Sequence, residues 1–79
     1  MNDKMKIYGY SKLKVYDDGL LEMSEISIQT SPDNLRKIAQ FLNQCADSIE
    51  KHGKNFAHEH LSDQFDEWNN NFSDIIVAR

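Results

Sequence analysis

The stretch from Ser31 to Gly53 constrains the fold most, because it predicts one long amphipathic helix. Ser31 stands where an N-cap belongs, Pro32 suits the first helical position, and Gly53 suits the residue that ends a helix. Apolar residues recur between them at helical spacing, namely Leu35, Ile38, Ala39, Leu42, Cys45, Ala46 and Ile49. We therefore expect this stripe to lie on an apolar partner, with Phe41 and His52 flanking it near Cys45 and widening the buried face. The helix itself carries no catalytic motif.

The length and composition predict one small domain over residues 1–79. A chain of 79 residues leaves no room for a second core, and 39% hydrophobic with 28% charged residues is typical of soluble globular proteins. The single cysteine, Cys45, lies on the apolar stripe, which indicates a reduced and buried thiol. Because no signal peptide or membrane span is apparent, we expect a cytoplasmic protein without a membrane partner.

The residues before the helix predict a β-hairpin. Met5 to Val15 alternates, with Met5 and Ile7 on a face expected to point inward, and Gly9 interrupts that face. Asp17-Asp18-Gly19 is a turn signal, and Leu20 to Thr30 is the predicted return strand. Leu21 and Met23 are out of phase with Ile26 and Ile28, so we expect a β-bulge near Ser24 or Glu25.

Shorter elements are predicted after the helix. Phe56 to Leu61 favours a short strand, with a loop as the alternative, and Ser62 is a candidate N-cap for a helix over Asp63–Asn69. Phe65 and Trp68 would both reach the core, and Ile75 to Ala78 is typical of a strand buried on both faces. The predicted fold is α+β, in the order β-β-α-(β)-α-β. It has an antiparallel sheet of three to four strands, the long helix across one face, and a short second helix.

The charge distribution predicts an acidic surface in the carboxy-terminal third. The net charge is −4, and residues 55–78 contain no lysine or arginine. The carboxylates that we expect on this surface are Glu59, Asp63, Asp66 and Glu67. Such a surface repels nucleic acid and attracts a basic protein, which we favour over general acid–base chemistry or magnesium binding.

Two other constellations suggest alternative functions. His58 and His60 point the same way if they lie on a strand, and His52 or Asp63 would complete a metal site. Two histidines at this spacing more commonly belong to an ordinary exposed segment, so we assign no metal and no cofactor. The alternating residues Lys6, Tyr8, Tyr10, Lys12 and Lys14 resemble a nucleic-acid platform, but a solvated strand face is the commoner meaning.

Several segments resemble the immunity protein 32 family of bacterial polymorphic toxin systems. They are Met5-Lys6-Ile7-Tyr8-Gly9-Tyr10-Ser11, Ser31-Pro32-Asp33-Asn34-Leu35-Arg36-Lys37-Ile38-Ala39-Gln40-Phe41-Leu42, His58-Glu59-His60-Leu61-Ser62-Asp63, Trp68, and Asp74-Ile75-Ile76-Val77. The resemblance implies a small α+β protein that neutralises a toxin by binding it. It implies no enzyme activity and brings no catalytic residues.

The predicted function is therefore that of a non-enzymatic immunity protein, a monomer or weak homodimer, which binds a cognate protein toxin and no nucleic acid. The carboxylates would supply electrostatic complementarity, and exposed aromatic side chains would supply apolar contacts. The predicted partner-binding residues are Glu59, Asp63, Asp66, Glu67, Trp68, Tyr8, Tyr10 and Phe72. Trp68 is also a core candidate. The alternatives are a small metal-binding protein that uses His58 and His60, and a regulator that binds nucleic acid through the Lys/Tyr strand face.

Overall fold

The computed structural model describes residues 4–15, 19–68 and 71–79, and shows two antiparallel strand pairs and one long helix. The elements are β1 (Lys6–Val15), β2 (Leu21–Gln29), α1 (Pro32–His52), β3 (His58–His60) and β4 (Ile76–Ala78). β1 pairs with β2, and β3 pairs with β4. The α+β class, the long helix and the antiparallel pairing are confirmed. The prediction of one sheet with three to four strands is wrong.

Both predicted ends of α1 are confirmed. The Ser31 hydroxyl accepts a hydrogen bond from the Asn34 backbone N–H at 3.2 Å, and Pro32 occupies the first turn. At the other end Gly53 has φ of +52° and donates its N–H to the Ile49 carbonyl. A positive φ favours glycine, because a side chain is strained there.

The face of α1 that enters the core is rotated from the predicted stripe. Its buried residues are Asn34, Ile38, Phe41 and Cys45. Leu35 and Leu42 are 47% and 45% exposed, and Ala39 and Ala46 are exposed too, so their predicted burial is wrong. Asn34 tolerates burial because its amide donates to the Thr30 hydroxyl at 2.9 Å. The predicted burial of Phe41 is confirmed, whereas that of His52 is wrong, because His52 is exposed.

The core joins the start of β1, one face of α1 and the carboxy-terminal third. Its buried members are Met5, Ile38, Phe41, Cys45, Leu61 and Trp68. Ile7, Phe65, Phe72, Ile75 and Val77 are partly buried against them. Burial of Trp68 and partial burial of Phe65 confirm that both reach the core. Most of the hairpin lies beyond this cluster, since Gly9 and Ser11 on the predicted inward face of β1 are exposed.

The hairpin register contains the predicted bulge. Gly9 pairs with Ile26, Tyr10 with Glu25 and Ser11 with Met23, which leaves Ser24 unpaired. The Ser24 hydroxyl donates to the Tyr10 carbonyl at 2.9 Å, so the extra residue is hydrogen-bonded. The predicted turn at residues 17 and 18 lies outside the described residues.

Two predictions for the carboxy-terminal third are wrong. Instead of a helix over Asp63–Asn69, the structure has a 3-10 turn at Leu61–Asp63 and no helix over residues 64–68. Ser62 does not cap a helix because its hydroxyl and its N–H both donate to Asp74. β4 is not buried on both faces, since Ile76 is 54% exposed. Over the described ranges, no helix is long and apolar enough to traverse a bilayer.

Candidate partner-binding site

The four predicted carboxylates lie along the carboxy-terminal third, where we call them the acidic patch: Glu59, Asp63, Asp66 and Glu67. Glu59 is half-buried on β3, and the other three are exposed. Glu67 forms an ion pair with Lys37 of α1, and the Lys37 ammonium nitrogen lies 5.7 Å from the centroid of the Phe65 ring. The hydrogen bond from Lys37 holds the pKa of the Glu67 carboxyl below its ordinary value. This contact ties the patch to one flank of α1.

A cavity of about 410 Å³ opens between α1 and the acidic patch. Phe41 and Cys45 contribute its apolar wall, while Glu59 and Asp47 contribute carboxylates. Burial, and secondly the charge of Glu59, raises the pKa of the Cys45 thiol. The thiol therefore stays protonated and is a poor nucleophile, as its position on the apolar stripe predicted.

Asp74 is a hydrogen-bonding centre that the sequence analysis did not identify. Its Oδ1 accepts the backbone N–H groups of Ser62 and Ile75, each at 2.9 Å. Its Oδ2 accepts the Ser62 hydroxyl at 2.9 Å and contacts His60 Nδ1 at 3.1 Å. Partial burial by itself raises the pKa of the Asp74 carboxyl, but these donors outweigh that effect and the pKa lies below its ordinary value. No local pattern predicts a contact across 12 residues.

Ser62, His60 and Asp74 are the residue types of a hydrolytic triad, but their connections differ from one. Ser62 and His60 both contact Asp74 Oδ2. In a triad the imidazole faces the serine hydroxyl and the carboxylate faces the opposite ring nitrogen. Here the serine hydroxyl is bonded to the carboxylate instead. The arrangement therefore joins the start of β4 to β3 and does not activate a nucleophile.

The two predicted histidines do lie together. The rings of His58 and His60 are 5.2 Å apart between centroids and nearly perpendicular. Within residues 4–15, 19–68 and 71–79, no group of three or more His, Cys, Asp or Glu side chains is arranged to hold a metal ion. Asp63 and His52 are exposed and do not join the pair there.

The predicted aromatic residues are divided between core and surface. Trp68 is 5% exposed and its indole N–H donates to the Ser73 carbonyl at 3.0 Å, so it has almost no surface for a partner. Phe72 is half-buried, with its ring centroid 5.2 Å from that of Trp68. Tyr8 and Tyr10 are 53% and 72% exposed. They alternate with Ile7, so they point away from the face of β1 that packs against the core.

The lysines beside these tyrosines are already engaged. Lys6 donates its ammonium to the Asn71 carbonyl at 2.7 Å, and Lys12 lies 3.4 Å from Glu22. The side chain of Lys14 lies outside the described residues. Phosphate contacts would have to compete with these two interactions.

Comparison with known proteins places the chain in a family. The model of the family described as Immunity protein 32 matches residues 25–79, which is more than half of the chain. The match begins within β2 and includes α1, β3 and β4, while the opening strand lies outside it. Neither the search of curated proteins nor that of solved structures found a match. The chain belongs to the immunity protein 32 family.

Proposed function

We propose that this protein is a non-enzymatic immunity protein that binds and neutralises a cognate bacterial toxin through the acidic patch. Membership of an immunity protein family carries the proposal, because that family suggests an antitoxin-like role and a toxin as partner. The proposed setting is the bacterial cytoplasm, within a polymorphic toxin system. Binding alone would suffice for inhibition if the complex covers the surface that the toxin needs for its activity.

The charge of the acidic patch supports its selection as the contact surface. Asp63 and Asp66 are exposed, and no described cation pairs with either of them. Residues 55–78 carry no basic side chain to screen them apart from histidines, so the local field is negative. A field of one sign raises the association rate of an oppositely charged protein and disfavours partners of the same sign. The patch therefore suits a toxin with a basic surface.

The cavity beside the patch suits a long basic side chain. An arginine or lysine of the toxin would enter this cavity and place its charge near Glu59. Glu59 is half-buried and takes part in no described ion pair, so a cation there would meet a carboxylate with little competition. We assign Glu59 the central contact and Asp63 and Asp66 the surrounding electrostatic attraction.

Co-expression with the neighbouring toxin gene tests the proposal in cells. The wild-type chain should restore growth, whereas Asp63→Lys with Asp66→Lys should lose most of the rescue. Glu25→Lys with Glu50→Lys is the matched control, because it changes the net charge equally at exposed sites away from the patch. Failure of the wild-type chain to rescue growth would refute the function. Rescue that survives reversal of all four patch carboxylates would refute the acidic patch as its basis.

Binding measurements with the purified toxin test the mechanism. The Asp63 and Asp66 reversals should weaken binding at least about tenfold, mainly through a slower association rate, and the loss should shrink as salt is added. Glu59→Gln should instead raise the dissociation rate, because it removes a partly buried contact. Equal effects of the patch and control reversals would show that net charge alone governs binding.

A further inference from the structure

One side of the molecule carries apolar residues that no described element covers. Ile26 and Ile28 on β2 are 55% and 37% exposed, and Leu35 and Leu42 on α1 are about half exposed. We call these four residues the apolar flank. A monomeric soluble protein seldom exposes several large aliphatic side chains together unless they form a contact surface.

The hairpin register places the two isoleucines on the same face of the hairpin as Ile7. Ile7 pairs with Ile28, and Gly9 pairs with Ile26. Residues directly opposite in an antiparallel pair point to the same face, and Ile7 packs against the core that contains Phe41. A Cβ built on Gly9 would lie 3.3 Å from Ile26 Cγ2. The exposed isoleucines therefore continue the core-facing surface of the hairpin outward from Ile7.

The outer edge of β1 is occupied near the core, whereas no described strand pairs with the outer edge of β2. Ser73 donates its N–H to the Met5 carbonyl, and its hydroxyl accepts the Ile7 N–H, both at 3.1 Å. The Ile7 N–H therefore points away from β2. By antiparallel alternation, the N–H and carbonyl groups of Ile26 and Ile28 point away from β1. Within the described part of the chain, β2 has no second strand partner.

The exposed leucines of α1 lie on the same side as this open edge. Lys37 pairs with Glu67, so that flank of α1 faces the carboxy-terminal segment. At about 100° per residue, Leu35 and Leu42 lie on the flank opposite Lys37. The carboxy-terminal segment borders β1 through Ser73, so the leucine flank is directed toward β2. The exposed apolar residues of helix and strand therefore lie toward the same side of the molecule.

We propose that a second copy of this chain covers the apolar flank, by antiparallel pairing of β2 with β2 of the partner about a two-fold axis at Ser27. In this register Ile26 lies opposite the Ile28 position of the other copy, and the two pairs form four backbone hydrogen bonds. The result is a four-stranded sheet with both helices on one face. Leu35 and Leu42 of one copy then face Leu35 and Leu42 of the other copy across the axis. The small side chains of Ala39 and Ala46 allow the two helices to approach closely.

The charge pattern of β2 fits this occupant. Glu25 lies opposite Gln29 of the other copy, so no carboxylates face each other, and Ser27 lies opposite its own counterpart. The outer edge of β1 offers no equivalent route, because Ser73 occupies it near the core and lysines follow along the strand. The acidic patch lies on the other flank of α1, so the dimer leaves both patches free for a toxin.

Sedimentation and amide exchange test the dimer in the full-length chain. The mass should rise toward twice the 9.2 kDa of one chain as concentration increases from about 1 µM to about 500 µM. Over the same range the Ile26 and Ile28 amides should become protected from exchange, because only the second copy bonds them. A mass of one chain at every concentration, or unchanged exchange at these amides, would overturn the proposal. In that case a strand of the toxin becomes the occupant to test.

Matched substitutions test the location of the interface. Ile26→Lys should raise the dissociation constant at least about tenfold, since each dimer then carries two buried charges. Ile76→Lys is the control, because Ile76 is 54% exposed on β4, away from the flank. If Ile26→Lys does not fold, judged by circular dichroism, Leu42→Lys on the exposed side of α1 replaces it. Dimerisation that withstands the flank variants, or that Ile76→Lys weakens equally, would refute this interface.

Discussion

At the scale of single residues, the Asp74 carboxylate contacts three other residues. Its carboxylate receives two backbone N–H groups, one hydroxyl and one imidazole contact. These bonds hold the turn after β3 against the residue that leads into β4. The carboxylate is about one-third exposed, so water reaches it while its hydrogen bonds hold it in place. This residue should matter more for stability than its position in an irregular segment indicates.

Asp74→Asn should lower the free energy of unfolding by about 1–3 kcal/mol at neutral pH, since the bonds to an ionised acceptor are lost. Because folding lowers the pKa of Asp74, its contribution is fully present above the ordinary carboxyl pKa and disappears as pH falls through the folded value. The wild-type chain should therefore lose more stability than the variant between neutral and acidic pH. Urea unfolding at several pH values measures this difference.

Asp66→Asn is the control for this experiment, because Asp66 is exposed and has no described ion pair. Its acid dependence should follow that of the wild-type chain. Parallel pH dependence of the Asp74 variant and the wild-type chain would contradict a stabilising role for the ionised carboxylate.

At the scale of elements, α1 carries an apolar stripe that is too wide for one contact surface. One part of the stripe enters the core, and the other part stays exposed. Leu35, Ala39, Leu42 and Ala46 satisfy the helical period as well as Ile38 and Cys45 do, so periodicity alone does not select among them. The structure buries the side that carries Phe41, whose ring is 1% exposed. The unused part of the stripe becomes the helical half of the apolar flank.

Adjacent substitutions on α1 should separate the two sides. Phe41→Ala should cost about 3–5 kcal/mol of unfolding free energy, because it leaves a cavity among close-packed side chains. Leu42→Ala should cost less than about 0.5–1 kcal/mol in dilute monomer, since this side chain is 45% exposed. Chemical denaturation at low protein concentration measures both. Similar losses would mean that the buried face of α1 is misassigned.

At the scale of the whole molecule, the chain is flat and extended for its length. Its radius of gyration is 14.0 Å and its smallest dimension is 19 Å, whereas a compact domain of this length has a radius of gyration of about 12 Å. The hairpin accounts for part of the difference, because β1 and β2 reach beyond the core. A two-stranded hairpin has little stability of its own. Its attachment to the core therefore depends on the few residues at its base.

Met5 is one of the residues that make this attachment. It is fully buried, and its carbonyl accepts the Ser73 N–H, so it joins the base of the hairpin to the carboxy-terminal segment. Met5→Ala should cost about 2–5 kcal/mol and should expose the Trp68 ring to solvent. Thermal unfolding and tryptophan fluorescence measure the two effects.

Met23→Ala is the matched control for Met5→Ala, because Met23 is 42% exposed on β2. It should change monomer stability by less than about 1 kcal/mol. An equal loss in both variants would show that the outer part of the hairpin contributes as much to the core as its base does.

The sequence by itself determined the local features. The caps at Ser31 and Gly53, the extent of α1 and the bulge at Ser24 each follow from residues close together in the chain. Family membership also follows from the sequence, through residues 25–79. These features are predictable because capping, turn formation and side-chain alternation act over a few residues.

Only the tertiary structure decided which surfaces meet. The buried face of α1, the split into two strand pairs, the bonds around Asp74 and the open edge of β2 depend on contacts between distant segments. Residue types restrict such contacts without selecting among them, because several pairings bury similar apolar area. The separation of the acidic patch from the apolar flank is a consequence of that packing, and it leaves this small chain with two distinct surfaces.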